Sequence, residues 1–164
     1  MINKAKKIAE KVHKNQRDLK NYPYMSHILD VAERVSHLGD KYQIVALLHD
    51  AIEDAKPDIF KQEITQEILN SFDKEIVEAI LAMSKGSGED YFKDYLPRLK
   101  TNEIACQVKI ADSSHNLSKA HLIEEMPLQA KLRNKYIRVL NTLGVEGKSQ
   151  EKPLEYKEGK WKKV

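Results

Sequence analysis

Apolar residues recur along this chain at intervals of three and four and almost never at two, a spacing that packed helices satisfy and strands do not. Ile2, Ala5, Ile8, Ala9 and Val12 make one such stripe. Ile28, Val31, Ala32, Val35 and Leu38 make a second, and Leu128, Leu132, Tyr136, Val139 and Leu143 another near the end. Each stripe covers one face of its helix, so each helix must bury that face against another. The residues that interrupt helices are scarce, at 6 Gly and 5 Pro in 164 residues. That length is the ordinary size of one domain. The spacing therefore predicts an all-α bundle of about seven or eight helices.

Punctuation divides the pattern. Pro23 suits the first turn of the second helix, and Gly39 closes it. A third helix is expected from Lys41 to Asp54, stopped by Pro57; its centre, Ile44 to Leu48, is apolar all round and so buried. Helices are expected over 61–70 and 73–84, Asp90 and Asn102 are placed to cap two more, and a last helix covers 127–143. Residues 1–144 read as one domain. Residues 145–164 are rich in Lys and Glu and read as a charged tail. Leu154 to Val164 alternates weakly around Glu158-Gly159, which permits a short hairpin, but a mobile arm is the favoured expectation.

Composition excludes several classes of function. Cys106 is the only cysteine, so neither an internal disulfide nor a thiolate metal site can form. No apolar run approaches the roughly 18 residues that span a bilayer, and the basic start, Met1 to Lys7, has no apolar signal core behind it. A cytoplasmic protein that does not contact membranes is expected. Lys and Arg number 28 against 25 Asp and Glu, a net charge of +3, without the basic stripe that tracks nucleic acid. No nucleic-acid partner is expected. The chain is expected as a monomer or a homodimer.

Three places break local rules. His49-Asp50-Ala51-Ile52-Glu53-Asp54 puts three carboxylates at the end of a buried helix, where the helix dipole and mutual repulsion oppose them. An acidic, solvated helix end is the plain alternative to a cation site. Asp112, with His115 and Asn116, sits where the stripe of Ala105 and Val108 calls for an apolar residue, and a buried carboxylate needs a Lys, an Arg or a metal. His27 borders the stripe of Ile28 and Val31, where a satisfied core histidine is the plain reading. Taken together, His27, His49, Asp50 and Asp112 offer nitrogen and oxygen ligands from three helices. That set suits Mn²⁺, Fe²⁺, Ni²⁺ or Zn²⁺ between the helices of a bundle.

The order His27, His49-Asp50, Asp112 resembles the HD superfamily of metal-dependent phosphohydrolases. The words Gln16-Arg17, Pro23-Tyr24, Ala46-Leu47-Leu48-His49-Asp50-Ala51-Ile52-Glu53-Asp54, Val108-Lys109-Ile110-Ala111-Asp112 and His115-Asn116-Leu117 are similar to the hydrolase domain of Rel/Spo proteins and to the small alarmone hydrolases. The resemblance spans about Ala9 to Leu143. It implies an HD-type helical domain that removes the 3′-pyrophosphate from guanosine tetra- and pentaphosphate, the alarmones of the stringent response. It implies a divalent metal, Mn²⁺ first, with Fe²⁺, Ni²⁺, Zn²⁺ and Mg²⁺ as alternatives, held by His27, His49, Asp50 and Asp112. Glu53 and Asp54 would be the acid/base pair. Arg17 and Asn116 would bind the nucleotide, and Lys109 would support the site from behind. A polyanionic substrate also calls for cations at the rim, and Lys20 is a candidate for substrate binding on that ground.

The chain departs from that pattern where Asp18 follows Arg17 in place of a second basic residue, where Ile28 follows His27, and where Ser113 follows Asp112. The first departure bears on substrate. It keeps a second enzymatic reading in play, an HD-type phosphohydrolase of other nucleotides such as nucleoside monophosphates. A third reading is a catalytically silent nucleotide-sensing module, which would have no need of both Glu53 and Asp54.

Overall fold

A computed structural model describes residues 1–164. Nine α-helical segments follow one another: α1 Ile2–His13, α2 Tyr24–Arg34, α3 Asp40–Leu48, α4 Ala51–Asp54, α5 Asp58–Ser71, α6 Lys74–Met83, α7 Leu96–Lys100, α8 Glu103–Lys119 and α9 Met126–Thr142. Two short strands, β1 Leu154–Lys157 and β2 Lys160–Lys163, close the chain. The all-α expectation holds. α3 is the central rod: Ile44, Val45, Ala46, Leu47 and Leu48 are all buried, and α1, α2, α6 and α8 pack around it. α9 lies along the outside of α8. No helix is long and apolar enough to cross a membrane.

The helix starts follow from short polar side chains. Asp73 accepts from the Ile76 N–H and Asn102 from the Ala105 N–H, at 3.1 and 3.0 Å, satisfying amides that have no partner within the helix. Asp90 accepts from two amides, those of Phe92 and Lys93, and opens a wide turn over Tyr91–Tyr95 that runs into α7.

The structure corrects the sequence expectation in three places. The helix expected over 41–54 breaks at His49-Asp50, where Asp50 adopts φ −107° and ψ 0°, and resumes as α4. The break has a chemical reason. Adjacent side chains on one helix diverge by about 100°, yet His49 Nε2 and Asp50 Oδ2 stand 3.0 Å apart. Only a kink lets both face the same point. Second, α2 stops at Arg34 and gives way to a tight turn over Ser36–Leu38 before Gly39. Third, the segment favoured as a mobile arm forms the alternative hairpin and packs on the bundle. Glu158 and Gly159 both take positive φ, 53° and 79°, as a tight two-residue hairpin turn requires. β1 and β2 pair antiparallel, with Tyr156 opposite Trp161. Leu154 and Trp161 point inward and are buried.

The approach to the hairpin is tied down. Arg133 grips Glu151 through two parallel bonds of 2.6 and 2.7 Å. Gly147 passes so close to α9 that a Cβ there would lie 2.6 Å from the Ile137 carbonyl oxygen.

Candidate metal centre and adjoining cleft

α2, the α3–α4 break and α8 deliver four side chains to one buried point. The donor atoms of His27, His49 and Asp50 all lie within 4.8 Å of one another. From α8, Asp112 Oδ1 stands 3.1 Å from His27 Nε2 and 3.6 Å from His49 Nε2. Both Nε2 atoms are buried without a hydrogen-bond partner, because the carboxylates that face them are close but poorly aligned. His49 Nδ1 lies 2.7 Å from the Ala46 carbonyl oxygen, which only accepts, so Nδ1 carries the hydrogen and Nε2 faces the carboxylates.

Electrostatics point the same way. Burial opposes a charge on His49, but Asp50 and Asp112 outweigh it and hold its pKa well above the ordinary value. Burial would raise Asp112, but Lys109 and the two imidazoles hold it well below the usual carboxylate range. A cluster that draws positive charge between two orphaned imidazole nitrogens and two carboxylates fits a divalent cation of the nitrogen- and oxygen-binding kind.

Supports surround these donors, and two of them, Tyr24 and His115, take roles that the sequence reading did not assign. His27 Nδ1 lies 2.7 Å from His115 Nδ1, so one ring must donate to the other. His115 is buried and its pKa is depressed, first by burial and then by His27 and Lys119, so it is neutral and can accept. Tyr24 donates to Asp50 Oδ2 at 2.6 Å. Lys109 donates to Asp112 Oδ2 at 2.8 Å and Asn116 to Asp112 Oδ1 at 3.1 Å. Partners of this kind orient donor groups around a metal.

Glu53 and Asp54 project from α4, each partly exposed. Burial, and then for Asp54 the charge of Asp50, raise both carboxyl pKa values above the ordinary range, although the Lys85 N–H bonds Glu53 Oε1 and counters the shift. Asp54 Oδ2 accepts from Gln16 Nε2 at 3.0 Å, and Gln16 Oε1 lies 2.7 Å from His13 Nδ1. His13 is buried, so its ring anchors the glutamine that in turn steers the carboxylate.

Beside the donors opens a cleft of about 310 Å³. Tyr24 and Asn116 belong both to its wall and to the supports of Asp50 and Asp112, so cleft and cluster share a border. Arg17, Lys20, Tyr22, Lys119, Tyr136 and Trp161 also line it. Trp161, from the hairpin, meets the rings of Tyr22 and His115 edge-on at 5.0 and 5.3 Å, and its indole N–H donates to Ser26 Oγ at 3.0 Å.

The unusual Asp18 is a loop-builder. Its Oδ1 accepts from the N–H groups of Lys20 and Tyr22 at 2.9 and 3.0 Å, and its other oxygen pairs with the largely buried Lys119 at 3.4 Å. Lys20 in turn faces Glu124 at 3.6 Å. Arg17 is exposed, and its guanidinium reaches only the Asn21 carbonyl.

The fold and this donor set define a metal-dependent phosphohydrolase of the HD type. The HD domain family matches residues 5–105, more than half of the chain, and the chain belongs to that family. Among curated proteins it is 30% identical over 134 residues to GTP pyrophosphokinase rsh of Brucella melitensis biotype 1, covering 76% of this chain and 18% of that one. It is 29% identical over 162 residues to a GTP pyrophosphokinase of Myxococcus xanthus, covering 88% of this chain and 21% of that one. The chain thus spans about a fifth of the length of these relatives. Among solved structures it superposes with a TM-score of 0.69 on a metazoan ortholog of SpoT described as hydrolyzing ppGpp and acting in starvation responses. That likeness covers 92% of this chain and 89% of the other at 18% identity, and is a likeness of fold.

Proposed function

We propose that this protein removes the 3′-pyrophosphate from guanosine tetra- and pentaphosphate, with residues 1–144 as the hydrolase domain and the hairpin as an accessory wall. The observation that carries the reading is the shared border: a buried donor cluster opens, through Tyr24 and Asn116, into a cleft walled by aromatic rings and rimmed by cations. Such a cleft suits a purine nucleotide, whose base stacks and whose phosphates need positive charge. The activity described for the metazoan structural neighbour supports the same substrate.

His27, His49, Asp50 and Asp112 hold the divalent ion, Mn²⁺ in the first instance. When bound, the ion supplies charge neutralisation at the phosphoryl group and a more acidic water. The chain's own residues do the rest. Glu53 and Asp54, both biased toward holding a proton, orient the attacking water, accept its proton and return one to the leaving oxygen. Gln16 keeps Asp54 in place through its bonds to Asp54 and His13. Tyr22 and Trp161 offer ring surface to the base, with Arg17 and Lys20 at the mouth and Asn116 between base and donors.

A second reading, hydrolysis of another nucleotide, draws on the neutralisation of Lys119 by Asp18 and of Lys20 by Glu124, which lowers the positive charge of the cleft. A product assay separates the two. Metal-stripped protein restored with Mn²⁺ is offered guanosine tetraphosphate and a nucleotide panel. Pyrophosphate released from guanosine tetraphosphate is the expected result. Orthophosphate from another nucleotide, with guanosine tetraphosphate intact, favours the second reading. Metal binding without turnover of anything would return the silent sensing module.

A further inference from the structure

The cleft's own lysines are matched to carboxylates, but one lysine beside the donors is not. Lys135, on α9, is half-buried and has no carboxylate within the 4.0 Å of an ion pair. Its Nζ sits 4.6 Å from the centre of the Tyr91 ring and 5.9 Å from that of Tyr136. Lys109 Nζ lies 5.7 Å from the same Tyr91 ring while bonded to Asp112. Two ammonium groups therefore share one aromatic ring, and one of them touches the donor cluster. Neither Lys135 nor Tyr91 lines the cleft, whereas Tyr136 does, so this patch adjoins the cleft without belonging to it.

An unpaired ammonium loses hydration on burial, and a like charge nearby adds to the cost. Burial first, and Lys109 second, accordingly depress the Lys135 pKa. Ring faces repay only part of that. An anion bound at Lys135 would relieve both penalties.

We propose that Lys135, backed by Lys109 and Tyr91, is a binding subsite for a pyrophosphate group. Resting on the hydrolase reading above, it holds the group that departs, while the aromatic cleft holds the nucleoside. Lys135 is thus a substrate-binding residue on a helix outside the matched family segment, which ends at residue 105.

The test is titration calorimetry of the full chain with inorganic pyrophosphate, Mn²⁺ being kept equal in cell and syringe. Lys135→Ala is expected to weaken pyrophosphate binding about tenfold, the scale of one charge-assisted hydrogen bond. Lys135→Arg should retain it, and Lys131→Ala, at an exposed lysine one turn away, should leave it unchanged. Bound metal should be the same in all of them. With guanosine tetraphosphate, Lys135→Ala should raise KM more than it lowers kcat. Equal pyrophosphate affinity in wild type and Lys135→Ala overturns the subsite, as does an equal loss in Lys131→Ala or no binding to wild type. Pyrophosphate binding that depends on Lys135, in a protein that leaves guanosine tetraphosphate intact, keeps the subsite and removes the proposed substrate. Hydrolysis with unaltered binding does the reverse.

Discussion

The donor cluster and the cleft beside it are built on opposite terms. His27, His49 and Asp112 are 1%, 1% and 4% exposed, so each is a polar group placed where the fold would otherwise put an apolar one. The mouth of the cleft is made of residues comfortable at a surface: Arg17, Lys20 and Leu19 at 73% exposure, with the partly exposed rings of Tyr22 and Tyr136. A site assembled from costly residues must be held by many neighbours, and this one is, through Tyr24, Lys109, His115 and Asn116. A site assembled from undemanding residues can change its details without unsettling the fold. On the proposed function, chemistry would reside in the first and substrate choice in the second.

That division is open to attack from both sides. The largest effect is expected from Asp50→Ala, which should abolish tight metal binding and lower kcat/KM by at least about 10³-fold, the scale of several kcal/mol of lost charge stabilisation. Metal content after dialysis and turnover, measured together, check it. Retention of metal would break the comparison outright. Glu53→Gln comes next. It should keep the metal and lose about 10²- to 10⁴-fold in rate, and equal metal loss in both variants would overturn the role given to Glu53.

Glu53 also sets a pH signature. Burial raises its carboxyl pKa, and it must be ionised to accept a proton. Activity should therefore fall as pH drops through that raised value, at a higher pH than the ~4.3 of an exposed glutamate. The acid limb should shift in Glu53→Gln to the one that Asp54, whose pKa is also raised, sets alone. A smaller effect belongs to His115→Ala, which removes the partner of His27 Nδ1 and should weaken metal affinity by about 10- to 100-fold. The mildest effect on chemistry is expected from Trp161→Ala. It should raise KM about tenfold, as loss of a stacking surface does, with kcat and metal content unchanged. It should also cost about 3 kcal/mol of stability in thermal melts, whereas Trp161→Phe keeps most of both.

The same division decides what could be read from the chain. His49-Asp50 and Asp112 announced themselves because charges in a buried helix violate its pattern. The caps at Asp90 and Asn102 were equally plain, since each is a short polar residue before an apolar run, whereas Asp73 read as the first residue of its helix rather than as its cap. The break at His49-Asp50 was hidden: its cause is the convergence of two neighbouring side chains, which has no trace in a hydrophobic period. His115 was grouped with Asp112 and Asn116 but given no role of its own, because its partner, His27, lies 88 residues away. Lys135 and Trp161 had no local signal at all. A lysine on a helix face and a tryptophan in a lysine-rich tail are ordinary until tertiary packing sets one over Tyr91 and the other against His115. The hairpin itself was legible only as weak alternation, and the Lys-rich composition around it argued for a solvated arm.

One consequence of the hairpin concerns observation rather than chemistry. Trp161 is the only tryptophan in the chain. Its indole is buried at the edge of the cleft, hydrogen-bonded to the residue that precedes His27 and in contact with the ring that steadies His27. Fluorescence excited at the red edge of the protein's absorption therefore comes from a single fluorophore at the junction of cleft and metal centre. Occupation of the cleft or loading of the donors would change its surroundings, and each is expected to register on the unlabelled protein as a change in emission.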